Sequence, residues 1–116
     1  MSLEKSRFYY KVYGLEVESE ININEFVPIE NINVENKVNI VYANMPLNIK
    51  EDIENNKKSS FSKAECWFHI NDVATYRVTG GNLIEFEPCE NADPYLLRVF
   101  LMCSCLGFIM IQRDIV

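Results

Sequence analysis

The sequence predicts a single α+β domain, a mostly antiparallel sheet with an apolar C-terminal helix packed on it. Three observations lead there. Short runs rich in Val, Ile, Tyr and Phe alternate with clusters of turn-forming residues. Two of those runs face each other across Gly80-Gly81-Asn82. The last part of the chain is almost continuously apolar and opens on Asp93-Pro94. The 116 residues, 48% of them hydrophobic, amount to one domain that can build a core without disulfides.

The elements follow in order. Phe8 to Glu20, rich in Tyr and Val, reads as one long strand with Gly14 marking a bulge or a close backbone approach. Residues 21–36 repeat Asn and Glu among isolated Ile and Val, and read as a connector with short extended pieces. Val38 to Ala43 is a second strand. Asn48 to Lys58 is polar and mixed in charge, an exposed loop with at most one helical turn. Cys66 to Ile70 is the third strand, placing Cys66, Phe68 and Ile70 on one face and Trp67 and His69 on the other. Asn71-Asp72 turns the chain.

Residues 74–79 and 83–87 form a hairpin whose register can be derived. A two-residue Gly80-Gly81 loop would set Tyr76 against Glu85. A three-residue Gly80-Gly81-Asn82 loop instead pairs Val78 with Ile84, Tyr76 with Phe86, and Arg77 with Glu85. Directly opposed residues share a face, so this register gives one apolar side and one charged side. The three-residue loop is therefore predicted, with Asn82 able to take the left-handed conformation.

Asp93 caps a helix and Pro94 suits its first position, where a missing N–H costs nothing. The helix runs from Pro94 to about Gln112, interrupted mainly by Arg98, Ser104 and Gly107. With Arg98 near its start it is read as a buried helix, not a membrane span. One modest sheet covers only one side of it, so Leu97, Phe100, Leu101, Leu106, Phe108 and Ile109 are the candidate interface residues. A missing neighbouring domain or a second copy of the chain would cover them. Arg113-Asp114 reads as a turn and Ile115-Val116 as the opening of another strand, which suggests a longer parent protein.

The net charge of −6 disfavours nucleic acid as a partner, because DNA affinity rests on clustered cations. No basic start followed by an apolar segment marks a secretion signal. The cysteines, at 66, 89, 103 and 105, are bunched in the second half, and two lie in the apolar run. Reduced thiols and a cytoplasmic location are expected.

Chemistry-bearing spacings are sparse. Cys66 and His69 point to opposite strand faces, so they do not share a metal ion. Cys103 and Cys105 do not face each other on a helix. His69 would need a cysteine such as Cys89 and an orienting carboxylate to serve in hydrolysis, and nothing in the spacing supplies them. Asp72, Asp93 and Asp114 stand at element boundaries as turn and cap residues. Gly80-Gly81 lacks the Lys-Ser/Thr of a phosphate loop. No catalytic, cofactor-binding or metal-binding residue is assigned, and no cofactor is expected.

Three segments carry a family likeness: Phe8-Tyr9-Tyr10-Lys11-Val12-Tyr13-Gly14-Leu15-Glu16-Val17-Glu18-Ser19-Glu20, then Phe68-His69-Ile70-Asn71-Asp72-Val73-Ala74-Thr75-Tyr76-Arg77-Val78, then Arg98 through Leu106-Gly107 to Gln112-Arg113. In that order they resemble the N-terminal region of bacterial proteins related to the HPr serine kinase. The nucleotide-binding domain of those proteins is similar to ATP-dependent phosphoenolpyruvate carboxykinase. The resemblance implies a non-catalytic accessory domain that packs on a kinase-like domain and helps select a protein partner. The family's phosphate loop lies beyond this stretch, so no site residue carries over. Asp114 stands where the family often has glycine.

Overall fold

The computed structural model describes residues 7–30 and 37–115. Seven strands form one sheet: β1 Phe8–Val12, β2 Leu15–Ser19, β3 Val38–Tyr42, β4 Ser59–Phe61, β5 Glu65–Ile70, β6 Ala74–Thr79 and β7 Leu83–Pro88. Their spatial order is β1-β2-β3-β7-β6-β5-β4. The sheet is mixed. β3 lies parallel to both β2 and β7, while the pairs β1–β2, β4–β5, β5–β6 and β6–β7 are antiparallel. The antiparallel expectation is therefore corrected at the centre. Antiparallel hairpins leave local turn signals, but a parallel pairing is made by a distant connection and leaves none.

The expected long first strand is a hairpin. Tyr13 and Gly14 both adopt positive φ, 53° and 74°, and reverse the chain so that Val12 faces Leu15. Two left-handed residues in a row make the turn that matches strand twist. The segment read as an exposed loop contains α1, Leu47–Glu54, which starts after Pro46 and has no side-chain cap. It forms because Met45, Ile49 and Ile53 pack on Trp67, an apolar side that the polar composition concealed. β4 was not anticipated either. The connector meets the sheet edge through a bridge between Tyr10 and Pro28, and its residues 31–36 lie outside the described residues.

The β6–β7 hairpin has the derived register: Val78 pairs with Ile84, Tyr76 with Phe86 and Arg77 with Glu85, around the loop Gly80-Gly81-Asn82. The left-handed conformations fall on Gly80 and Gly81, at φ 63° and 72°, and not on Asn82. Alternation along the strands gives the sheet two unlike faces. One presents Tyr10, Val17, Ile40, Ile84, Phe86, Tyr76, Val78 and Phe68, all buried in one cluster. Each fully buried aliphatic or aromatic side chain there contributes about 1.5–3 kcal/mol by leaving water. The other face carries Glu18, Glu85, Arg77, Glu65 and Trp67, and α1 covers part of it.

The apolar face is covered by the C-terminal helix, Pro94–Gln112. It comprises α2 Pro94–Phe100, a π-helical turn Leu101–Cys105 and α3 Leu106–Gln112. The Asp93 carboxylate accepts from the Tyr95 amide at 2.8 Å, as the cap reading requires. In the π turn the Leu106 amide reaches back to the Leu101 carbonyl, five residues away. Just before it, the buried Tyr76 hydroxyl donates to the Leu97 carbonyl at 2.9 Å. The helix ends with Ile115 N–H bonding Met110 O and Asp114 N–H bonding Ile111 O, with Asp114 at φ 61°. That is a Schellman turn with an aspartate where glycine is usual. Ile115 belongs to no strand, and Val116 lies outside the described residues.

Candidate functional site

The C-terminal helix divides into two sides. Leu97, Leu101, Cys105, Leu106 and Ile109 are buried against the sheet. Phe100 and Phe108 are half-buried beside Phe68, whose ring also stacks on Tyr76 at 5.0 Å. Of the six candidate interface residues, Leu97, Leu101, Leu106 and Ile109 therefore belong to the core of the protomer and face no partner. The outward stripe is Leu96, Val99, Cys103, Gly107 and Ile111, exposed or half-exposed at intervals of three or four residues. Periodicity could not separate the two sides because both are apolar.

The stripe is about 22 Å long at 1.5 Å per residue, and it contains no charge. Arg98 is turned away from it. Its guanidinium donates to both Glu25 carboxylate oxygens, at 2.9 and 3.1 Å, and holds that carboxyl below its ordinary pKa. At the other end Gln112 donates to the Val78 carbonyl and accepts from the Gly81 amide, while Arg113 donates to the Gly81 carbonyl. These contacts tie the helix to the rest of the fold near both ends.

Apolar surface continues from the stripe toward the sheet edge. A hollow of about 490 Å³ lies between Phe61, Cys66, Phe108 and Ile111, rimmed by Lys63 and Gln112. A second, of about 360 Å³, lies between Phe61, Phe68, Phe100 and Phe108. The Phe61 and Phe108 rings, 5.4 Å apart, separate the two. Phe61 is 60% exposed and Ile111 50%, which is unusual for side chains this large and this close together.

The residues weighed for chemistry are not brought together. Cys66 lies in the core and His69 on the opposite face, as alternation along β5 demands. The His69 Nδ1 is 2.8 Å from the Thr75 hydroxyl, and burial lowers its pKa. Cys103 is exposed and Cys105 buried, so they do not face each other. Among the described residues no three His, Cys, Asp or Glu side chains are grouped to hold a metal ion. Comparison with protein-family models, curated proteins and solved structures found no match.

The buried thiols give a pH signature. Burial raises Cys66 from 9.0 to about 11 and Cys105 well above its ordinary value. The folded protein keeps protons that the unfolded chain releases above about 9, so alkali favours unfolding. The stability is complete below pH 9 and should fall as pH rises from 9 toward 11. Urea midpoints measured across that range check it. The slope between pH 9 and 10 should flatten in the Cys66→Ala, Cys105→Ala double variant, and an unchanged slope refutes the assignment.

Proposed function

We propose that this chain is a non-catalytic accessory domain that docks a kinase-like nucleotide-binding domain through the outward face of its C-terminal helix. The observation that carries the reading is the uncharged stripe Leu96–Ile111 and its continuation into the two hollows beside Phe61. A stable interface takes about 800 Å² from each partner. The stripe alone is narrow, and the hollows supply both additional area and pockets for anchoring side chains. The resemblance to HPr kinase-related proteins favours a nucleotide-binding neighbour. Cys103 and Gly107, small residues at the middle of the stripe, favour close approach of another helix.

Cys103 provides the test, because its thiol lies on the stripe while Cys66 and Cys105 are buried. In a Cys89→Ser background, a thiol reagent should modify Cys103 readily in the isolated chain. Joined to a nucleotide-binding domain, where the gene continues into one, Cys103 should react at least about tenfold more slowly. Leu96→Glu with Ile111→Glu should restore the fast rate without unfolding the chain. A stop codon after Val116 with no phosphate loop following removes the kinase-like partner. Protection that instead grows with the concentration of the chain alone identifies a second copy as the occupant.

A further inference from the structure

The face of the sheet opposite the C-terminal helix holds a cleft of about 340 Å³ between α1 and the strands β4, β5 and β6. Its lining is unlike that of the two apolar hollows. Asn48, Asp52, Lys57, Ser60, Glu65 and Arg77 supply polar groups, and Trp67 forms the floor. Ser60, Trp67 and Arg77 are successive partners across the sheet, so strand pairing fixes the base of the cleft.

Ion pairs stand on its opposite walls. On the sheet side Arg77 Nε lies 2.5 Å from Glu65, and Arg77 Nη1 lies 3.6 Å from Glu85. On the helix side Lys57 and Asp52 are 3.9 Å apart. The Asp52 and Lys57 side chains are 40% and 54% exposed, while Arg77 is 27% exposed beside Glu65 at 41%. The Lys57–Asp52 pair is open enough to contribute little to folding, so exchanging its partners costs little. Among the residues that line the cleft, Arg77 and Lys57 are cations and Glu65 and Asp52 anions, so their formal charges cancel. That pattern complements a ligand carrying both charges within a few ångströms.

We propose that this cleft binds a small zwitterion, a free α-amino acid with a short polar side chain. Its carboxylate takes donors from Arg77 and Lys57, its ammonium group pairs with Asp52 and Glu65, and Ser60 and Asn48 receive the side chain. The volume is at the small end of ligand pockets, and such pockets are usually apolar. A polar lining in a small volume selects a small polar occupant. The site is separate from the docking face and does not depend on it.

Trp67 is the only tryptophan, so its emission reports this cleft alone. Each of the common L-amino acids, added singly at up to about 10 mM, is the probe. At least one should shift Trp67 emission saturably and move the amide resonances of Ser60 and Glu65. Its N-acetyl and methyl ester forms, each lacking one charge, should bind at least about tenfold more weakly. Arg77→Met and Asp52→Asn should each weaken binding by a similar factor, with Asp52→Asn placed on the exposed helix where the fold tolerates it. No response to any amino acid overturns the proposal. So does equal binding of the blocked derivatives, or full binding by both variants.

Discussion

Tyr76→Ala should lower the unfolding free energy by about 4 kcal/mol, the cost of removing a large aromatic from a filled core. Tyr76 is fully buried, stacks on Phe68 with an interplanar angle of 22°, and lies 6.0 Å from the Phe100 ring. Its hydroxyl also joins the sheet to the helix at the Leu97 carbonyl, just before the π turn. Domains of this size are stable by about 5–15 kcal/mol, so the variant should lose a large share of its stability. Tyr76→Phe separates the two contributions. It keeps the ring and removes the donor, and should cost about 1–2 kcal/mol. Urea denaturation of the three proteins checks both values. If Tyr76→Phe costs as much as Tyr76→Ala, the ring packing argument fails; if it costs nothing, the hydroxyl does not hold the helix.

Gly81→Val should cost about 3 kcal/mol, more than an ordinary surface loop change. The φ of 72° is a conformation that side chains disfavour by about 1–2 kcal/mol, and a branched one by more. An added Cβ would also lie 3.0 Å from Arg113 Cγ. Arg113 cannot simply swing aside, because its guanidinium donates to the Gly81 carbonyl while Gln112 accepts from the Gly81 amide. Gly80→Ala is the comparison. It shares the positive φ, but its nearest neighbour is the Asn82 side chain at 3.4 Å. Calorimetry should show a clearly smaller loss of Tm for Gly80→Ala. Equal losses would mean that backbone strain alone matters and that the helix clamp contributes nothing.

What the sequence disclosed depended on how local its causes were. The β6–β7 register was readable because only one loop length separates Tyr76 and Phe86 from Arg77 and Glu85. The helix start was readable because Asp93 and Pro94 act on their immediate neighbours. Tyr13-Gly14 was missed as a turn because Tyr is uncommon at positive φ, and the alternation on either side hid the reversal. α1 was missed because its apolar partner, Trp67, lies beyond it in the chain. Of the residues read as an interface, Leu97, Leu101, Leu106 and Ile109 face the sheet instead. A helix apolar on both sides carries no sign of which side the sheet will take.

The position of β3 has a consequence for how the chain comes to be folded. β4 to β7 form a run of neighbours joined by short turns, and β1 and β2 form another, so each group can assemble from nearby contacts. Within the sheet only Val38–Tyr42 links them, gripping Val17 on one edge and Ile84 on the other through Val38 and Ile40. Such distant pairings are slow to find, since the loop entropy is lost before contact energy is gained. Among the strands, this single keystone segment joins the two halves of the sheet.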